Sequence, residues 1–357
     1  MKLAVIGAGA VGGAIAALAD RHGHEVTVTA RGDHLDAIRT RGLHLSGAWG
    51  EHTAHPRASE ALGEADTQTG PEPHPNRPTR PDLAVIAVKA QDAHAALAQN
   101  AAGLGGVPLV VVQNGLGGAE AAAAQLPSTP VIGGLALFAT SFLDPGEIAV
   151  TAGGATYLGR LPGTPQSVVD DAAAVLSDFM PIELTTNFPG AQWTKLMVNH
   201  VNALPAITGL SVQQTMADAR LRRVLTASMR ETIGIARATG VRFETLLGLG
   251  DGLLRLMALA PRPLAELIPK AMAKRMGDVP NPGSTLQSIR RGQLTEIDHL
   301  NGAVVTVASD LGRPAPVNTA LVDLVHAVER DHRFRTPAEV ETAVATTVRA
   351  AGRAQPA

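Results

Sequence analysis

The opening residues, MKLAVIGAGAVGG, constrain the fold more than any other stretch of the chain. A short apolar run over 2–7 leads into Gly7-Ala8-Gly9-Ala10-Val11-Gly12, a GxGxxG spacing, and small residues of helical character follow over 10–22. Strand, glycine loop and helix in that order begin a βαβ unit of the dinucleotide-binding kind. Gly7 suits the tight turn, Gly9 lets the backbone approach a pyrophosphate, and Gly12 lets the helix pack on the strand. Ala10 and Val11 start the helix whose N-terminus faces the anion. A charged start and an apolar run also resemble a secretory signal, but glycines at 7, 9, 12 and 13 are poor company for a helical signal core.

The strand–helix alternation continues. EVTVTA (25–30), LHLSG (43–47), DLAVIAVK (82–89) and VPLVVVQN (107–114) read as strands, with helices over 31–42, 91–102 and 117–125 between and after them. This order predicts an α/β domain built on a Rossmann-type, doubly wound parallel sheet. Shorter strands over 130–160, turning at DPGE, predict a local antiparallel addition; a helix at 167–178 and the strand IELTT (182–186) close the region. Residues 64–81 (EADTQTGPEPHPNRPTRP) carry five prolines among polar neighbours and read as a flexible, solvated loop.

After Phe188-Pro189 helical periodicity replaces the strand signal, so the expected division is a dinucleotide-binding domain over 1–188 and an all-α domain over 189–350. Two domains also suit the length of 357 residues. The stretch 248–276 is interrupted by prolines and reads as broken helices or a flap, and 351–357 (AGRAQPA) as a frayed tail. Net charge is −2 with no basic, aromatic-laced patch, which argues against nucleic acid as a partner. Beyond the N-terminal segment, no run approaches the ~18 apolar residues of a membrane span. The chain has no cysteine, which excludes disulfides, thiolate metal sites and a cysteine nucleophile, and fits a cytoplasmic protein. No metal site is expected, and a homodimer is compatible with the sequence.

The second strand ends Thr29-Ala30-Arg31-Gly32, without the carboxylate that binds the ribose in NAD sites. Arg31 instead suits a 2′-phosphate, which a guanidinium binds bidentately, so NADPH is the expected cofactor. Asp33 reads as the N-cap of the following helix. Lys89 and Asn114 end two further strands, on the side of the sheet where ligands of such folds bind. Each taken singly could be an ordinary solvated side chain.

The helical half poses the sharper puzzle. WTKLMVNHVNALPAITG (193–209) is an apolar helix carrying a lysine and two asparagines. Buried ammonium and amide groups are costly without partners. Lys195, Asn199 and Asn202 fall at i, i+4 and i+7, one polar stripe beside Leu196, Val198, Val201 and Leu204. An outward-snorkelling lysine is the plain alternative. His200 lies off the stripe and reads as a satisfied or surface histidine rather than a catalytic one. Further on, Ser284 follows Pro-Gly and either caps a helix or contacts a ligand. Glu296 is expected on a helix face shared with Leu300, Ala303, Val304 and Val307, where it needs a partner such as Lys195 or a substrate hydroxyl.

These pieces together resemble the ketopantoate reductase family along the whole chain, apart from 64–81 and 248–280. The matching segments are GAGAVG, AVKAQD around Lys89, QNGLG around Asn114, WTKLMVN around Lys195, and STLQSIRRGQLTEIDHLNG with the following RPAPVN. The resemblance implies a Rossmann domain joined to a helical domain of the 6-phosphogluconate dehydrogenase type, acting on a 2-keto acid with NADPH. By the same resemblance Lys195 is the general acid, Glu296 and Asn199 hold and orient the substrate, and Ser284 binds its carboxylate end. Lys89 and Asn114 then lie by the nicotinamide. Two departures touch the substrate side. The family's second asparagine comes eight residues after the lysine, where this chain has Ala203 and places Asn202 one residue early. Its Ser-Ser-Met is Gly-Ser-Thr here, at 283–285. The readings that compete with reduction of 2-dehydropantoate to (R)-pantoate are a reductase of another 2-keto acid and a non-catalytic dinucleotide sensor.

Overall fold

A computed structural model of the chain describes residues 1–63, 80–275, 277 and 279–354. The chain divides into two compact units, Met1–Phe188 and Pro189–Ala357. In the first, β1 (Lys2–Ile6), α1 (Ala10–Arg21), β2 (Glu25–Thr29) and α2 (Gly32–Arg41) form the opening βαβα run. β3 (Leu43–Gly47), β4 (His52–Ala54) and β5 (Arg57–Ser59) follow, then β6 (Leu83–Ile86), α3 (Ala90–Leu104), β7 (Leu109–Val112) and α4 (Gly118–Gln125). The unit closes with β8 (Val131–Ala136), β9 (Ala139–Asp144), β10 (Glu147–Ala152), β11 (Thr156–Arg160), α5 (Gln166–Ser177) and β12 (Ile182–Thr185). Most of the loop read over 64–81 lies outside the described residues.

Eight strands form one sheet in the order β12-β11-β8-β7-β6-β1-β2-β5, parallel except where β11 runs against β8. β1, β6 and β7 are buried almost throughout, as both-face burial demands of parallel strands. The order reverses at β1, which has β2 on one side and β6 on the other, so the ligand-binding crevice of such a sheet lies off the carboxyl ends of β1 and β6. LHLSG does not extend this sheet. It joins a second sheet, β4-β3-β10-β9, in which the DPGE turn links β9 and β10 as an antiparallel hairpin.

The second unit is helical. α6 (Phe188–Asn199), a 3-10 turn (His200–Asn202) and α7 (Ala203–Thr208) run on as one interrupted rod. Pro205 has no N–H for the Val201 carbonyl, and its ring crowds that carbonyl, which accounts for the tightened turn just before it. α8 (Val212–Ala217) and the amphipathic α9 (Ala219–Ala238) follow. Both are well capped, α8 by a Ser211–Gln214 capping box and α9 by Asp218, which accepts from Arg220 N–H and Leu221 N–H. The proline-interrupted stretch forms α10 (Asp251–Leu259), α11 (Arg262–Ala265) and α12 (Leu267–Arg275). It is docked rather than loose: Leu254, Met257, Ala265 and Met272 are buried, and Arg222 of α9 pairs with Glu266 at 2.9 Å. α13 (Gly283–Arg290), a second 3-10 turn (Ile297–His299), α14 (Asn301–Asp310), α15 (Pro316–Asp331) and α16 (Pro337–Ala354) complete the chain. α16 carries helix into the tail read as frayed; 355–357 lie outside the described residues. No helix among the described residues is long and apolar enough to cross a membrane.

Candidate active site

In the first unit the glycine loop is held by β2. Gly7 N–H donates to Thr29 Oγ1 (2.9 Å) and Ala8 N–H to the Thr29 carbonyl (2.8 Å). Gly7 adopts φ +90°, and a Cβ on Gly12 would stand 2.0 Å from the Gly7 carbonyl oxygen, so neither position admits a side chain. At Gly9 an added Cβ would meet nothing within 4 Å. Gly9 is also the N-cap of α1 and offers no side-chain cap, and Ala10 and Val11 in the first turn are half-buried. On the other side of the loop, His34 of α2 donates from Nε2 to the Ala8 carbonyl (2.7 Å) and accepts Gly146 N–H at Nδ1 (2.9 Å). These partners select one neutral tautomer. Burial pulls the His34 pKa below its ordinary value, against the opposing effect of the Ala8 bond.

Arg31 stands exposed at the N-cap of α2 and donates to Gln99 Oε1 of α3 at 3.0 Å. Asp33, read as that cap, is instead in the helix's first turn, because the helix already starts at Gly32. Lys89 is not at a strand end as read: β6 stops at Ile86, and Lys89 is the N-cap of α3. Asn114 follows β7 in a turn. The two loops are tied together by Gln113, whose Nε2 donates to the Val88 carbonyl at 3.1 Å.

In the second unit Lys195 and Asn199 lie on α6 and Asn202 in the 3-10 turn. Side chains three apart eclipse in a 3-10 helix, so the tightened turn keeps Asn202 in line with Asn199. Around them Trp193, Leu196, Met197, Val201 and Leu204 are buried. Burial pushes the Lys195 ammonium down to about 8. His200 is fully buried and satisfied on both nitrogens, donating from Nδ1 to the Leu196 carbonyl and meeting Thr232 Oγ1 at Nε2, each at 2.7 Å. Burial drops its pKa to about 4, which keeps it neutral.

Asn202 faces the start of α13. A Cβ on Gly283, which has φ +72°, would stand 2.5 Å from Asn202 Oδ1, so the glycine of the Gly-Ser-Thr departure makes room for the shifted asparagine. Ser284 is exposed in the first turn of α13 and is not its cap; Pro282 holds that position. Glu296 differs from its reading. It is not on the helix with Ala303, Val304 and Val307 but caps the 3-10 turn before it, half-buried. Thr295 Oγ1 takes the Ile297 N–H (3.3 Å), and Leu300, at φ −103° and ψ −96°, breaks the path into α14.

Several supporting residues had no role in the sequence reading. Thr29 and His34 shape the glycine loop, and Gln113 joins two ligand-side loops. Asn318, the last residue of RPAPVN, lies at the centre of a buried network. Its Oδ1 accepts from Ser228 Oγ and Asn301 Nδ2 (2.8 Å each), and its Nδ2 donates to Glu231 (2.7 Å). Thr29 at the tip of β2 was the one readable signal, since a hydroxyl there can reach the loop.

A doubly wound sheet with this glycine loop, followed by an all-helical unit, is the architecture of two-domain oxidoreductases that use a nicotinamide dinucleotide. The chain belongs to the ketopantoate reductase PanE/ApbA family, whose N-terminal model matches residues 3–163 and whose C-terminal model matches 187–329. It is 27% identical over 330 residues to the 2-dehydropantoate 2-reductase of Archaeoglobus fulgidus, covering 92% of this chain and 98% of that one. The crystal structure of a PanE/ApbA family ketopantoate reductase from Ralstonia eutropha JMP134 superposes with a TM-score of 0.75 at 29% identity, over 92% of this chain and 99% of that one. D-mandelate dehydrogenase, solved with NADH and anilino(oxo)acetate, shares the fold with a TM-score of 0.77 at 20% identity, over 92% and 99% of the two chains.

Proposed function

We propose that this chain reduces 2-dehydropantoate to (R)-pantoate with NADPH, as a cytoplasmic enzyme of pantothenate and coenzyme A biosynthesis, with Lys195 as general acid. The observation that carries the reading is Lys195 itself, a lysine in an apolar helix with its pKa brought down to about 8. That value lies near the operating range a proton donor needs. The names of the curated relatives support the substrate.

The glycine loop fits a dinucleotide: the open space at Gly9 and the uncapped start of α1 suit a pyrophosphate. A reduced nicotinamide held there would supply the hydride. Lys89 and Asn114 serve the nicotinamide side. Lys195 Nζ gives its proton to the carbonyl oxygen as that oxygen becomes an alkoxide, and its charge stabilises the developing anion. Asn199, one turn on, holds the lysine or the substrate without adding charge. Glu296 binds the substrate's hydroxyl, Asn202 assists, and Ser284 binds the carboxylate end.

Cofactor oxidation with a panel of 2-keto acids tests the reading, 2-dehydropantoate being expected to give the highest kcat/KM. A better substrate elsewhere in the panel would reassign the keto acid, a reading favoured by the position of Asn202 and the Gly-Ser-Thr segment. No turnover with any of them would leave a dinucleotide sensor.

Two substitutions test the roles proposed for the two units. A charge-assisted contact from Arg31 to the 2′-phosphate contributes about 1.5–3 kcal/mol. Arg31→Ala should therefore raise the KM for NADPH about ten- to a hundredfold and leave that for NADH little changed. Equal use of both cofactors by the unmodified enzyme defeats the assignment. Glu296→Ala should raise the KM for the keto acid while NADPH affinity, read by fluorescence titration, stays within a few-fold. The opposite pattern reverses the roles given to the two units.

A further inference from the structure

Glu296 is bracketed by a cluster that the proposed reaction does not use. Thr295, on one side of it, donates its N–H to Glu329 Oε1 of α15 at 2.9 Å. Glu329 Oε2 lies 2.7 Å from His326 Nδ1, and His326 Nε2 lies 2.8 Å from Oδ1 of Asp298, on the other side of Glu296. The chain Thr295–Glu329–His326–Asp298 thus closes around the turn that presents Glu296. Within that turn the Glu296 carbonyl accepts from His299 N–H (2.9 Å) and Leu300 N–H (3.1 Å), so backbone bonds tie Glu296 to the rest of the turn.

The geometry also states the charge of the ring. Ionised carboxylates only accept hydrogen bonds, so a histidine with a carboxylate oxygen on each nitrogen is satisfied only when both nitrogens donate. The neutral ring serves one carboxylate and abandons the other. Glu329 is the better buried partner and Asp298 the more exposed, so Asp298 is the one released. α7, α9, α14 and α16 also pack on α15, but the charged groups that act on the ring are Asp298 from the 3-10 turn and Glu329 on its own helix. Partial burial pulls the His326 pKa down, yet the bonds to Glu329 and Asp298 outweigh it and hold the pKa above the ordinary histidine value.

We propose that His326 is a positioning residue for Glu296: as an imidazolium it clamps both flanks of the 295–298 turn, and its deprotonation loosens that turn and weakens keto-acid binding. The inference rests on the reading of Glu296 as a substrate ligand. It adds a control of keto-acid affinity by pH, separate from the titration of Lys195.

The test measures KM for 2-dehydropantoate, kcat at saturation and NADPH affinity from pH 6 to 9 in the wild type, His326→Leu, His326→Arg and Glu296→Ala. His326→Leu removes both donors and should raise KM about two- to thirty-fold at pH 6, the range for substitutions that touch no ligand themselves. Its kcat and NADPH affinity should stay near wild type. His326→Arg keeps a permanent two-sided donor, so its KM should stay low at pH 6 and lose the rise the wild type shows at higher pH. Because Lys195 titrates alike in both, the difference between them isolates His326. Equal KM profiles for wild type and His326→Arg overturn the proposal, as does a His326→Leu defect confined to kcat. If His326→Leu does not fold, the wild-type and His326→Arg profiles still decide. A Glu296→Ala enzyme with unchanged KM would instead remove the reading of Glu296 on which the clamp rests.

Discussion

Replacing Lys195 with alanine should lower the turnover number by roughly 10²–10⁴, the usual worth of a positioned general acid, while the protein stays folded and binds NADPH. The ketone oxygen takes on negative charge as it is reduced, and without Lys195 it has neither the proton nor the nearby ammonium. Circular dichroism should show the fold retained. The wild-type pH profile should carry the signature of the same group. Only the protonated lysine can donate, so kcat should be level below about pH 8 and fall as pH rises through it. Near-normal turnover in Lys195→Ala, at matched folding, would sink the mechanism.

Glu231→Ala should destabilise the helical unit by about 2–4 kcal/mol, from stranded donors at roughly 1–3 kcal/mol each, discounted because Glu231 is only half-buried. α15 begins with Pro316, and its cap, Ala315, has no polar side chain. Glu231, reaching from α9, caps the helix in its place. Its Oε2 accepts from Val317 N–H (3.0 Å) and its Oε1 from Asn318 N–H (2.8 Å). Its charge also sits favourably against the positive end of the α15 dipole. Losing it leaves those two amides without their acceptor and the buried Asn318 Nδ2 with only its longer bonds to the Ser228 carbonyl and Thr232 Oγ1, 3.4 Å each. Trp193 is buried in the helical unit, so its fluorescence in a Trp49→Phe background reports that unit's unfolding in urea. The Trp193 midpoint should drop sharply, and by less in Glu231→Gln, which keeps one acceptor. A shift of under about 1 kcal/mol would mean that water replaces the carboxylate without difficulty.

What could be read in the sequence was what depends on neighbours along the chain. The glycine loop is such a case, since strand, turn and helix follow one another directly and Gly12 answers to the Gly7 carbonyl five residues before it. The sheet followed from alternation, because burial on both faces leaves apolar runs such as LVVV in β7. Glu296 shows where periodicity misleads. The apolar repeat at Leu300 and Val304 is real, and both are buried, but extending it backwards past Leu300 ignores a threonine that bonds the backbone first. Glu231, Asn301 and Asn318 were out of reach for a different reason. Asn318 meets Ser228 and Glu231 across 90 and 87 residues of chain, and nothing local marks either as its partner. His326 reads as one more polar residue on an amphipathic helix until Asp298 is brought to it.

The staple between Thr29 and the glycine loop has a thermodynamic corollary. A free glycine-rich segment loses about 1–2 kcal/mol of backbone entropy for each residue it orders, a cost that opposes any ligand requiring that order. Here the Gly7 and Ala8 amides already belong to β2, and the Ala8 carbonyl already belongs to His34. The loop therefore reaches its working shape when the second strand and second helix fold, before any dinucleotide arrives. Affinity for the nucleotide then depends on rigidity conferred from outside the motif, and a lesion at Thr29 or His34 would weaken binding without touching a single glycine.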